Sequence, residues 1–327
     1  AMAGNSVLKV DASNIDLRGH SALQGFGTAA LEATQDVRLV GVAWSDAQTG
    51  QFDGTQRGSF WMKGALDLSS AQVLPTTLTD FTFAVGGSDM AGSGRLSFTA
   101  NGLTPQSPLS AGGSITAWAP HIVQAGRLVA PFGSITLGNT DAAVSDILTL
   151  DLRYAAGSLT SVAGQGPVPL GTVSNGSVPT ASNWATLLDD GTEVSIRQNP
   201  SADALSPQRA LPGKAITSLA GSITTDAGSV LDLSGGGSLF AFGFTPGKGG
   251  SKDVLSNNTL GTSASDSTTT GSGSMDTRAN WNTDGNRNTN TTNSGWMGRP
   301  MYSQGEGNYS LIPYSTQGYV GINAGQP

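Results

Sequence analysis

The chain has 327 residues, enough for one long domain or two ordinary ones, with a net charge of −7, no cysteine and two histidines. Only 12% of its residues are charged, yet 37% are hydrophobic and 46 are glycine. These totals exclude the basic stripe of a nucleic-acid binder, a disulfide framework and the low-hydrophobicity, high-charge signature of disorder.

The surface must therefore be covered by Ser, Thr, Asn, Gln and Gly. That suits a sheet better than a helix, because Lys and Glu, strong helix formers, are scarce. No run of 18 apolar residues occurs, so no membrane span is expected. Ala1-Met2-Ala3-Gly4 reads as a processed end or a cloning scar, and the chain is expected to be a fragment or a mature product. The lack of Cys fits a chain exported unfolded.

Helical periodicity is nearly missing along the chain. Its best stretch, Ala29 to Val40, is short and runs into the strand-like Val37-Arg38-Leu39-Val40-Gly41-Val42. Further on, Gly-Ser-Ile/Leu-Thr recurs at Gly113, Gly133, Gly157 and Gly221, the first three starts at similar intervals and the fourth after a longer gap. Gly228-Ser229-Val230 and Gly237-Ser238-Leu239 continue the series. In each unit Gly makes the turn, a small polar residue faces water and an aliphatic residue faces in. Alternation follows, as in Ile135-Thr136-Leu137 and Leu231-Asp232-Leu233, the period-2 pattern of a half-buried strand. Asp53-Gly54, Asn101-Gly102, Asn175-Gly176, Asp190-Gly191 and Asp284-Gly285 add hairpin signals, so a sandwich competes and hairpin insertions are expected. Irregular repeats of about 20 to 25 residues favour an all-β parallel β-helix, a solenoid of about 10 to 12 coils. Strands about 4.8 Å apart would make it on the order of 50 Å long.

Composition breaks near residue 257. All ten Phe lie at or before Phe244, while four of five Tyr lie after the break. The domains expected are a β-helix rod at 1–256 and an irregular Asn/Thr/Gly-rich extension at 257–327. The extension cannot bury enough apolar surface alone. Trp281, Trp296, Tyr302, Tyr309, Tyr314 and Tyr319 are its expected docking or assembly contacts.

Four segments carry a resemblance. They are Val10-Asp11-Ala12-Ser13-Asn14-Ile15-Asp16-Leu17-Arg18-Gly19 running on to residue 27; Ala65-Leu66-Asp67-Leu68-Ser69-Ser70 to 82; Pro108-Leu109-Ser110-Ala111-Gly112-Gly113-Ser114-Ile115-Thr116 to 138; and Gly228-Ser229-Val230-Leu231-Asp232-Leu233 to 255. Together, over residues 7–255, they resemble the filamentous-haemagglutinin family of large secreted proteins. The resemblance implies a right-handed β-helix, export through a dedicated outer-membrane partner, and a surface-exposed or released adhesin or filament. Extracellular or cell-surface localisation follows from it.

Catalytic groups are sparse. His20 and His121 are far apart, and neither has a nucleophile and an orienting acid beside it in sequence. Asp189-Asp190-Gly191-Thr192-Glu193 and Asp284-Gly285-Asn286 are the only calcium candidates, without the spacing of a calcium loop. Gly235-Gly236-Gly237 and Gly247-Lys248-Gly249-Gly250-Ser251-Lys252 fail the phosphate-loop spacing. No catalytic, metal or cofactor site is therefore expected. Asp11, Asp16, Asp67 and Asp232 could line a face, which keeps a β-helix polysaccharide lyase or hydrolase as the rival reading. Trp44, Trp61, Trp118 and Trp184 could stack on sugar rings, which keeps a host- or surface-glycan-binding module as another. The leading expectation is a structural or adhesive protein, not an enzyme, that binds through many weak contacts and self-associates into filaments.

Overall fold

Alternation of this kind builds strands, and the computed structural model is all-β, with no helix among the described residues. It describes residues 5–45, 52–87, 93–164 and 213–234 continuously, together with separate strands between and beyond them up to residue 321. No helix among them is long and apolar enough to cross a membrane. The chain divides into two units, 1–168 with 189–237, and 169–188 with 238–327. The expected boundary at residue 256 lies outside the described residues.

In the first unit the strands come in threes. The first round is β1 (Ser6–Ala12), β2 (Ile15–Arg18) and β3 (His20–Leu23). The second is β4 (Phe26–Ala33), β5 (Asp36–Val40), then β6 (Val42–Ser45) and β7 (Phe52–Met62). The third is β8 (Ala65–Ser70), β9 (Gln72–Pro75) and β10 (Thr79–Val85). Next come β11 (Arg95–Ala100) and β12 (Ser114–Trp118), then β13 (His121–Ala125), β14 (Arg127–Val129) and β15 (Ser134–Gly138). A sixth round runs through β16 (Asp151–Tyr154) and β17 (Leu159–Ser161). After β18 (Pro167–Val173), β19 (Trp184–Leu187), β20 (Glu193–Ile196) and β21 (Gln208–Arg209) it returns to β22 (Ala215–Leu219). The seventh begins with β23 (Ser222–Thr225) and β24 (Val230–Asp232).

Apart from β6 and the inserted β18–β21, these strands form three sheets visited in turn. Sheet A has the order β1-β4-β8-β11-β13-β16-β23, sheet B the order β2-β5-β9-β14-β17-β24, and sheet C the order β3-β7-β10-β12-β15-β22. Along these three paths every pairing is parallel. The exception is the expected hairpin insertion, where β6 pairs antiparallel with the front of β7. Asp53-Gly54 lies inside β7 rather than at the turn. Ala29 to Val40, the best helical stretch, is strand: β4 and β5 bury one face each by alternation.

Register turns alternation into columns. Leu8, Ala29, Leu66, Leu96, Ile122, Leu152 and Ile223 stand opposite one another across sheet A. Ile15, Val37, Val73 and Leu128 do so across sheet B, and Phe81, Ile115, Ile135 and Ile216 across sheet C. From Leu66 to Leu152 the sheet A column is at most 1% exposed, and each fully buried Leu or Ile contributes about 1.5 to 3 kcal/mol by leaving water. Phe83 packs tilted against Phe81 and edge-on against Phe98, with centroids 5.2 and 5.7 Å apart. Rounds are less regular than the repeats suggest. The successive partners Val7, Thr28, Ala65, Arg95, His121, Asp151 and Ser222 advance by unequal steps, the last by far the longest.

The fourth round has no strand in sheet B, so β9 pairs directly with β14 at Val73 and Leu128. Residues 101–113 run past this step. Asn101 Nδ2 donates to the carbonyls of Ala33 (2.9 Å) and Thr34 (3.1 Å), Gln72 Nε2 to that of Gln106 (2.9 Å), and Leu78 N to that of Ala111 (3.1 Å).

The second unit holds most of β18 and all of β19, which pair antiparallel at Thr172–Val173 and Trp184–Ala185. It also holds β25 (Ser238–Phe242) against β28 (Tyr319–Gly321), and β26 (Met301–Gly305) against β27 (Asn308–Leu311), both antiparallel.

Candidate functional site

The inward positions are filled, so the side chains able to act are the outward columns, and the three faces differ. Sheet A carries charge. Lys9 pairs with Glu32 (3.0 Å), Arg95 with Asp67 (3.0 Å) and Arg153 with Asp226 (2.7 Å). Ser97 Oγ also donates to Asp67, and His121 Nδ1 faces the Asp151 carboxylate directly across the ladder. The Arg153 hydrogen bond holds the Asp226 carboxyl below its ordinary range, and Asp226 in turn raises the guanidinium. Two polar groups point inward on this sheet and are satisfied. Gln124 Nε2 donates to the carbonyls of Gly126 and Leu159, and Tyr154 Oη meets Ser218 Oγ at 2.6 Å. Burial pushes the Tyr154 hydroxyl up.

Sheet B is roofed. Gln72 and Leu74 alternate with the inward Val73, yet they are only 1% and 7% exposed. Asp36 stands opposite Gln72, and Arg127 lies one step before Leu128, hence beside it. Asp36 Oδ1, Gln72 Oε1 and Arg127 Nε are buried without a hydrogen-bond partner among the described residues. Burial raises the Asp36 carboxyl, outweighing the nearby Gln72 amide and Arg38, and lowers the Arg127 guanidinium. At one edge, Arg38 forks onto Asp16 with bonds of 2.7 and 2.8 Å, a bidentate geometry that raises the guanidinium. At the other, Asp232 accepts from Ser161 and Ser234, and the Ser234 bonds hold its carboxyl low.

Sheet C carries hydroxyls and indoles. Ser59, Thr82, Thr116, Thr136 and Thr217 stand in one outward column across five strands. His20 heads that column, its Nδ1 2.9 Å from Ser59 Oγ. The next outward column along is Trp61, Ala84, Trp118, with Phe60, Met62 and Ala117 on the buried side. Both indoles are half-buried. Asp80, opposite Ser114, accepts its hydroxyl at 2.6 Å.

The residues expected to carry chemistry scatter over these faces. Asp11 and Asp67 belong to sheet A, Asp16 and Asp232 to sheet B, so the four do not converge. His20 and His121 lie on sheets C and A, on strands rather than in turns. No group of three or more His, Cys, Asp or Glu among the described residues could hold a metal ion. Both calcium candidates, bar Glu193 at the start of β20, and both glycine loops lie outside the described residues. Of the tail aromatics, Trp281, Trp296 and Tyr314 also lie outside them. Tyr302 is opposite Ser310, Tyr309 opposite Ser303 and Tyr319 opposite Phe242 by backbone register. Trp44 falls on β6 and Trp184 on β19. Sequence reading missed the hydroxyl column, whose members are strung out from Ser59 to Thr217 and share only alternation.

No protein-family model, no curated protein and no solved structure matches the chain.

Proposed function

We propose that the stacked rounds of the first unit form a right-handed parallel β-helix of the filamentous-haemagglutinin type, the family that residues 7–255 resemble, and that the protein is a structural and adhesive one acting at the bacterial surface or released from it. The observation that carries the reading is the register of sheet A, continuous from Val7 in β1 through to β23, with inward apolar and outward polar columns. Cyclic visits to three parallel sheets support a solenoid, because each round then stacks on the one before. Right-handedness is favoured by the strong preference of parallel crossovers for that hand. The family resemblance adds export through an outer-membrane partner and extracellular placement.

Such a protein binds by multiplying weak contacts along its faces. Self-association fits the last described strands of the three sheets, β22, β23 and β24, which have no further partner strand among the described residues and where Leu219, Ile223, Val230, Leu231 and Leu233 are 39 to 53% exposed. Two assays test the reading. Beads coated with the full chain should adhere to glycan-bearing surfaces, and incubation with a panel of polysaccharides should release no new reducing ends or unsaturated products. Reproducible cleavage would replace the adhesive reading by the lyase or hydrolase one. Negative-stain images at rising concentration should show end-to-end particles; uniform short particles would remove the filament part.

A further inference from the structure

We infer that the outward face of sheet C is a binding platform for an extended, neutral, β-linked glycan, with Trp61 and Trp118 as its two stacking residues. This deepens the adhesive reading and rests on it.

The argument starts from register. Trp61 is opposite Ala84, and Ala84 is opposite Trp118, so the indoles stand in one column with a methyl between them. Two strand spacings separate them, about 9.6 Å. Large, small, large leaves a notch over Ala84 with an aromatic step on either side. A β-linked pyranose chain repeats at a length close to one strand spacing, so alternate rings fall on alternate strands. Each ring presents an apolar face of axial C–H groups, which an indole covers, and a rim of equatorial hydroxyls, which an indole cannot satisfy.

The neighbouring column supplies what the rim needs. Ser59, Thr82 and Thr116 lie two residues before Trp61, Ala84 and Trp118 on the same strands, hence on the same face, and Thr136 extends the row. Each hydroxyl both donates and accepts, as a sugar hydroxyl does. Charge then selects among glycans. From Ser59 to Thr217 and from Trp61 to Trp118 neither column holds a charged side chain. The ionisable groups around these columns are Arg57 opposite Asp80, where Asp80 is already bonded to Ser114, His20 at the head of the hydroxyl column, and Lys63 two residues past Trp61. A neutral polyhydroxylated chain fits this surface, and a polysulfated one does not.

The full chain is run through native gels containing a soluble β-1,4-linked glucan or glucomannan, with heparin as the polyanionic control. Retardation by the neutral polymers is expected, with heparin causing none. Trp61→Ala and Trp118→Ala should each weaken retardation about tenfold, the loss typical of truncating a central aromatic contact. Because both indoles are half-buried, Thr82→Val and Thr116→Val serve as variants that keep the strand; they should weaken retardation severalfold at an unchanged melting temperature. No retardation by any neutral polymer overturns the inference, as does retardation by heparin alone or retardation unchanged in the Trp and Thr variants. Coated beads that still adhere while the Trp variants behave as wild type remove this site and leave the adhesive reading standing. New reducing ends in the gel-purified mixture remove the adhesive reading itself.

Discussion

Sheets B and C are laid down by the same rounds of chain, yet their outer faces have opposite fates. Sheet C keeps outward hydroxyls and indoles half-exposed, while sheet B has Gln72, Leu74, Val129 and Ser161 at 7% exposure or less. For Gln72 the difference comes from one round. The fourth omits its sheet B strand and lays residues 101–113 past the gap, bonded to the second and third rounds. A repetitive stack thus chooses its working face by where it spends its irregular segments. The covered face holds three polar atoms with no partner among the described residues, and the open one holds hydroxyls that water or a ligand can satisfy.

That contrast can be broken from behind. Phe83 is fully buried between Phe81 and Phe98, so Phe83→Ala should cost about 3 to 5 kcal/mol and lower the thermal midpoint of the whole first unit. Loss of only one face's protection in amide exchange would show that the sheets do not share one core. Gly133→Ala comes next. Its Cβ would collide with the Gly113 carbonyl oxygen, a backbone atom that cannot swing aside, at the end of the covering segment. About 1 to 3 kcal/mol should be lost in urea titration; no loss would mean that the two rounds separate readily.

Asn101→Ala attacks the roof alone. Removing its bonds to the Ala33 and Thr34 carbonyls should cost about 1 to 2 kcal/mol. It should speed amide exchange over residues 101–113 and leave sheet C as protected as before. Asp36→Asn sharpens the same point by pH. Burial raises the Asp36 carboxyl in the fold, so the native state holds the proton more tightly than the unfolded chain. Stability from this group is complete below its unfolded value and is lost as pH rises through the raised folded value. The Asn variant should therefore melt higher than wild type at pH 7 and equally at pH 3; a lower midpoint at pH 7 would show a stabilising carboxylate. The smallest effect is expected on the open face, where Thr116→Val should change stability by no more than about 0.5 kcal/mol while weakening glycan retardation.

Much of this was legible in particular residues. Alternation in Ala65-Leu66-Asp67-Leu68 marks β8, and the same pattern marks β15. The Gly-Ser-Ile/Leu-Thr units are strand starts as read, but they do not mark one face. Those at Gly113 and Gly133 open strands of sheet C, that at Gly157 opens one of sheet B, and that at Gly221 one of sheet A. The expected polar-out, aliphatic-in order also fails at one of them: at Gly157, Ser158 and Thr160 are buried, and Leu159 stands in the outward column opposite Arg127. Even the glycine answers different needs: Gly133 has no room for a Cβ, whereas Gly157 has room but sits at φ +77°. Hence the step from Gly113 to Gly133 is a full round, and the similar step from Gly133 to Gly157 is not.

The all-β class and the parallel pairing suggested by repeated strand starts were local properties, written in period-2 alternation and in the corner glycines. Register was not, because it is set by how each round buries its apolar column on the one before, across inserts of unequal length. Trp61 and Trp118 are distant in the chain, and only the pairing of β7, β10 and β12 brings them into one column. The roof over sheet B is likewise a tertiary choice: 101–113 reads as an ordinary loop, and it covers a face only because β9 and β14 close the ladder without it.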